Sequence, residues 1–142
     1  MSDPVNGAPP RNSAMAVAAS ALRAQQSRMR VIAENIANAE STSPTAGGTP
    51  YRRQIPVFQA REMDGATGVA LAEVRPDQSD FRMDYDPAHP AANADGYVMR
   101  PNVDTLIEAM DMREAQRAYE ANLNVIETAR SMESRTLDIL KR

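Results

Sequence analysis

The stretch VIAENIANAEST, Val31 to Thr42, reads as the last turns of a helix running into a loop. Asn35 and Asn38 interrupt its alanines and isoleucines. Asparagine is a mediocre helix former, because its amide competes for nearby backbone hydrogen bonds. Two of them, where a helix needs apolar contact, are out of place on helix propensity alone.

Working back from this stretch, the pattern is helical from about Ala14 to Glu40. Met15, Leu22, Met29 and Ile36 recur every seven residues, and Ala18, Gln25, Ile32 and Ala39 fall three further on. Together they make a heptad seam in which only Gln25 is out of character. Before it, MSDPVNGAPPRNS (residues 1–13) holds three prolines and almost nothing apolar, the composition of a disordered arm. Ser13 is placed to cap the helix.

Working forward, residues 41–50 are hydroxyls, prolines and a Gly-Gly pair, which is loop chemistry. YRRQIPVFQA and GVALAEVR predict short strands, with a turn at Asp64-Gly65 and Pro56 marking an edge or irregular strand. Residues 76–101 are broken by prolines and leave room for brief extended pieces around Phe81–Tyr85 and Tyr97–Met99. From Asn102 the chain is helical again, with Asn102 as the entry cap and Asp104 near the positive helix end. Met112, Tyr119, Ile126 and Leu140 keep a seven-residue repeat broken by Glu133. Ala115, Asn122, Ala129 and Thr136 fall three further on, and Leu123 and Leu137 widen the stripe. Glu114–Arg117, Glu127–Arg130 and Asp138–Lys141 are spaced to pair across a turn.

The expected fold is mainly α. Terminal helices over 14–40 and 102–142 pack as an antiparallel coiled coil, with the small β-prone middle, 41–101, as an excursion at one end. Composition agrees: the 142 residues suit one domain, and aromatics at 4% with no Trp are too few for a large spherical core. Candidate assembly contacts on the first helix are Met15, Leu22, Met29, Ile32, Asn35, Ile36 and Asn38. On the second they are Met112, Tyr119, Asn122, Leu123, Ile126, Leu137 and Leu140. Polar residues on such a seam, here Gln25, Asn122 and Glu133, cost stability but fix register and partner.

Several function classes have little support. A net charge of −3 with mixed signs gives no nucleic-acid footprint. No apolar run spans a bilayer, and no secretory signal pattern opens the chain. Cysteine is absent, so thiolate metal sites are excluded. The one histidine, His89, sits in the turn-forming string Asp-Pro-Ala-His-Pro and reads as an exposed loop residue. Arg52 and Arg53 read as solvated. No cofactor or catalytic residue is expected.

AENIANAEST, GGTPYRRQIPVFQ, DYDPAHPAANADGYVMRPNVD and EAMDMREAQRAYEANLNVIETARSME occur in that order. This series resembles the flagellar basal-body rod proteins, from about residue 14 to the end. The asparagine-rich motif is common to rod, hook and hook-associated proteins. Narrower are Tyr51, Arg52 and Arg53, then Pro87, Pro90, Gly96 and Tyr97, then Pro101, Asn102, Val103 and Asp104. These are similar to the FlgC branch, the proximal-rod proteins, and the short middle agrees. The proline-rich arm departs from that pattern. The resemblance implies a non-enzymatic rod subunit that transmits torque and is exported by the flagellar type III apparatus to the periplasmic rod. It implies as partners copies of itself, other rod subunits, the membrane ring and the export gate. The alternatives are another axial protein of the rod or hook, a soluble helical-hairpin adaptor, or a ligand-binding module.

Overall fold

The computed structural model describes residues 11–141. The element order is α1 (Arg11–Ala37), β1 (Gln54–Met63), β2 (Ala66–Pro76), β3 (Arg82–Tyr85), β4 (Tyr97–Arg100) and α2 (Thr105–Leu140). Two long helices and two antiparallel two-stranded ribbons make up the chain. None of the described helices is long and apolar enough to cross a membrane.

The helix bounds shift from those expected. α1 starts at Arg11, so Ser13 lies inside the helix and is fully buried instead of capping it. Residues 1–10 of the expected arm lie outside the described residues. α1 ends at Ala37, and residues 38–40 form a turn that closes through Ala39 N to Ile36 O (3.2 Å). At α2, Asp104 is the N-cap in place of Asn102: its side chain accepts from Leu106 N and Ile107 N. Asp104 takes that role because its backbone is extended (φ −99°, ψ 108°) where the helix begins.

α1 and α2 lie against each other in opposite senses. Arg28 meets Glu114 at 3.5 Å, while Ala14 and Met15 share an apolar groove with Ala129, Met132 and Glu133. Ala18, Ile32 and Ala115 are buried. Glu114 thus turns to Arg28, and the expected pairs along α2 are not among the ion pairs of the described residues.

β1 and β2 form a hairpin whose turn is Asp64-Gly65, both at positive φ (49° and 82°), the mirror-image turn that suits strand twist. The register shifts between Val57 and Phe58: Val57 faces Glu73 and Phe58 faces Leu71, leaving Ala72 as a bulge. The hairpin is not an excursion at the helix end. It lies along α1, because Val69 N donates to Ser20 Oγ (3.2 Å) and Asn35 reaches Gln54. Gly68 permits the approach, since a Cβ there would sit 2.7 Å from Ser20 Oγ. α1 therefore has two covered faces. Ser13, Ser20, Ala24, Val31 and Asn35 are buried along a second stripe that the heptad reading does not contain.

Candidate functional site

The polar side chains of this fold gather where the end of α1, the start of β1 and the start of α2 meet. Asn35 is 1% exposed. Its Nδ2 donates to Gln54 O (2.9 Å), and its Oδ1 accepts from Gln54 N (2.9 Å) and from the Tyr51 hydroxyl (2.6 Å). Tyr51 is held neutral above the usual phenol range of 10.0, first by burial and then by the Glu34 and Glu108 carboxylates.

Arg52 and Arg53 continue the knot. Arg52 Nη1 donates to Asp77 O (2.7 Å) and Ser79 O (2.9 Å), and its guanidinium lies 4.2 Å over the Phe81 ring. The Arg53 amide donates to Asn102 Oδ1 (2.7 Å). Its guanidinium bonds Asp77 Oδ2 (3.2 Å) and, through Nε, the carboxylate of Glu108 on the first turn of α2. Burial lowers the tendency of Arg53 to stay protonated, and Glu108 and Asp77 outweigh that. Asp77 is held below the usual carboxylate range by the Ser79 amide and by Arg53, against a burial effect of opposite sign. Asn102 Nδ2 ties back to Asp77 O (3.1 Å), Ser79 O (3.1 Å) and Ser79 Oγ (3.0 Å). Neither arginine is a freely solvated side chain, which corrects the expectation for both.

A second set of bonds joins the helix ends directly. Arg82 Nε donates to Pro101 O (3.1 Å) and its Nη2 to Ala39 O (3.2 Å). Pro101 and Val103 are buried. Pro87, Pro90 and Gly96 belong to the loop between β3 and β4 and Tyr97 opens β4; the loop is closed by Asp86 N to Gly96 O (2.9 Å) and Asn93 N to Tyr97 O (2.9 Å). His89 is half-buried there, its Nδ1 accepting from Ala91 N (3.0 Å), so it is a turn residue and not an exposed one.

The polar groups of the knot are spent on one another. The arrangement is a joint: it fixes how α1, the hairpin and α2 sit together. Among the described residues three buried side-chain atoms lack a hydrogen bond: Glu108 Oε2 in the knot, Gln25 Oε1 on α1, and Arg100 Nε on β4, which has Asp84 Oδ2 as an ion-pair partner at 3.2 Å.

The residues expected to make assembly contacts divide three ways. Met15, Leu22, Met29, Met112, Tyr119, Asn122 and Ile126 are half-buried, and Ile32 and Asn35 are buried within the chain. Asn38 is a local cap, its Nδ2 donating to Glu34 O (2.8 Å). Ile36, Leu123, Leu137 and Leu140 are exposed. The heptad reading missed a further exposed row on α2, Ile107, Val125, Met132 and Ile139. Its signal was present in the spacing of Ala118, Ala121, Val125, Thr128 and Met132, alternating three and four.

Two protein-family models match the chain. One, described as "Flagella basal body rod protein", covers residues 15–43. The other, "Flagellar basal body rod FlgEFG protein C-terminal", covers residues 94–139. The chain is 46% identical over 135 residues to the flagellar basal-body rod protein FlgC of Agrobacterium fabrum, a match spanning 93% of this chain and 96% of that protein. It is 43% identical over 126 residues to FlgC of Escherichia coli O6:H1, spanning 87% and 92%. To FlgC of Bacillus subtilis it is 38% identical over 142 aligned residues, spanning 88% and 95%.

Proposed function

The chain belongs to the FlgC family of flagellar basal-body rod proteins, and from this we infer that it is a structural subunit of the bacterial flagellar rod. The observation that carries the reading is similarity across almost the whole length of three FlgC relatives. The residues of the joint support it, since their polar groups bond within the chain and leave the apolar rows of α2 facing outward. The family is structural and not one of enzymes.

In the finer reading, the chain occupies the proximal part of the rod and its terminal helices pack as an antiparallel coiled coil. That packing is supported by the opposite sense of α1 and α2 and by the heptad spacing. Exposed Leu123, Leu137 and Leu140 are then covered by neighbouring copies or other rod subunits. Repeated head-to-tail contacts build an open assembly, and many weak contacts in series carry torque from the motor to the hook. The chain reaches the periplasmic rod through the flagellar type III apparatus, with the membrane ring and export gate as neighbours at the base.

The test is a strain lacking this gene. Cells should be non-motile and without rods, and the chain supplied in trans should restore swimming and appear in purified basal bodies. Swimming without the gene, or a chain absent from basal bodies of complemented cells, overturns the reading.

A further inference from the structure

The β3–β4 ribbon has one face turned inward and one presented outward. Its register pairs Arg82 with Arg100, Met83 with Met99, Asp84 with Val98 and Tyr85 with Tyr97. Alternation puts the methionine and tyrosine pairs on one face and Val98 on the other. Val98 is fully buried. Met83, Tyr85 and Tyr97 are 50%, 67% and 42% exposed.

That outward face is stiff. The tyrosine rings meet edge to face at 5.2 Å. Gly96 lies beneath them at φ +86°, and a Cβ there would come within 2.9 Å of Tyr85 Cε2. Tyr97 N is held by Asn93 Oδ1 at 3.0 Å. Rigid aromatic anchors with little freedom left to lose are what protein interfaces use for their central contacts. Asp86 and Asp95 flank the face in sequence, and neither has an ion-pair partner among the described residues.

A second surface presents two arginines beside exposed apolar residues. Leu106 and Met110, on the first turns of α2, are 70% and 63% exposed. Arg113 and Arg117 continue the same stripe at three and seven residues beyond Met110. Neither arginine has an ion-pair partner among the described residues.

We propose that the tyrosine–methionine face of the ribbon docks on the Leu106–Arg117 stripe of a second copy of the chain, with Asp86 and Asp95 meeting Arg113 and Arg117. The inference rests on the rod-subunit reading. The occupant is another copy because the charges complement and because Met83, Tyr85 and Tyr97 stay exposed in the single chain while the ribbon's other face is buried at Val98. The two surfaces differ, so the contact is heterologous and passes from copy to copy head to tail.

The chain has no cysteine, which makes cross-linking clean. Tyr85→Cys and Met110→Cys chains are expressed together in cells lacking the native gene, oxidised, and basal bodies are resolved on a non-reducing gel. A disulfide needs Cα atoms within about 7 Å, so the 85–110 heterodimer should exceed either homodimer by at least about tenfold. Dominant 85–85 dimers, adducts to other rod subunits alone, or no adduct in rods of swimming cells each overturn the proposal. As a second measure, Arg117→Asp should impair swimming and Arg117→Asp with Asp95→Arg should restore it. A double variant no better than the single one also overturns it. Failure of the rod reading shows separately, as an unsubstituted chain that does not restore motility.

Discussion

Asn35 pairs with Gln54 as a neighbouring strand would: its amide nitrogen donates to the Gln54 carbonyl and its amide oxygen accepts the Gln54 N–H, each at 2.9 Å. One side chain thus docks the first residue of β1 on the last turn of α1. The Tyr51 hydroxyl adds a third bond to the same oxygen at 2.6 Å. Asn38, three residues on, does none of this.

The two asparagines should therefore respond differently to alanine. Asn35→Ala leaves the Tyr51 hydroxyl and both Gln54 backbone groups short of a partner, each worth about 1–3 kcal/mol where water is excluded. The gain in helix propensity is at most about 0.7 kcal/mol. Asn38→Ala loses one local bond and should be near neutral or slightly stabilising. Denaturant unfolding of both variants checks this, and equal losses would show that Asn35 is only a cap.

Removing Arg53 strands a buried charge. Glu108 is 1% exposed, and breaking such a pair costs about 3–5 kcal/mol. Arg53→Ala should lower the unfolding midpoint sharply. Arg53→Met combined with Glu108→Leu should recover much of the loss, because no unpaired charge remains. A double variant as unstable as the single one would show that the joint depends on the charges themselves.

Stability should fall at both pH extremes for separate reasons. Tyr51 is held above 10.0 in the fold, so the folded chain keeps a proton that the unfolded chain loses. Its contribution is full below pH 10 and is lost as pH rises through the folded value. Asp77 is held below 3.8, so its contribution is present above that value and lost as pH falls through the folded one. Tyr51→Phe should flatten the alkaline limb, leave the acid limb, and cost about 1 kcal/mol at neutral pH. An alkaline limb unchanged in Tyr51→Phe would assign it to another group.

Helices, hairpin turn and the pieces around Phe81–Tyr85 and Tyr97–Met99 were legible because each rests on local spacing or turn chemistry. The hairpin's seat on α1 was not. Ser20, Ala24 and Asn35 are small or polar residues that face β1 or β2, far along the chain. Arg52 and Arg53 looked solvated because an arginine's partners, here Asp77 and Glu108, lie 24 and 55 residues from Arg53. Asn102 looked like a cap by residue type, and Asp104 is one by backbone angle.

Position along α2 should decide what an apolar-to-acid change does. Ile126 is half-buried, and Leu140 is 75% exposed. Ile126→Asp should destabilise the free chain by roughly 1–3 kcal/mol, within the usual range for single substitutions, and stop swimming. Leu140→Asp should leave the free chain's stability unchanged and still stop swimming, because only neighbours in the rod cover it. Full motility in the Leu140→Asp strain would remove Leu140 from the assembly contacts.

Hydrogen exchange should then fall off along α2. α1 is covered by the hairpin on one face and α2 on the other. The start of α2 is fixed by the Asp104 cap, by Glu108 on Arg53, and by Ala115, which is fully buried. Among the described residues beyond Ile126 only Ala129 and Thr136 are even half-buried, while Leu137, Ile139 and Leu140 are 52%, 73% and 75% exposed. A helix without tertiary cover is marginal in water. Amides of α1 and of α2 up to about residue 126 should exchange slowly in the free subunit, and those from 127 to 140 quickly. In isolated basal bodies the distal segment should become protected as neighbours cover it. Slow exchange to the end of α2 in the free chain would mean that the distal helix stands without partners, and its exposed leucines would no longer argue for assembly.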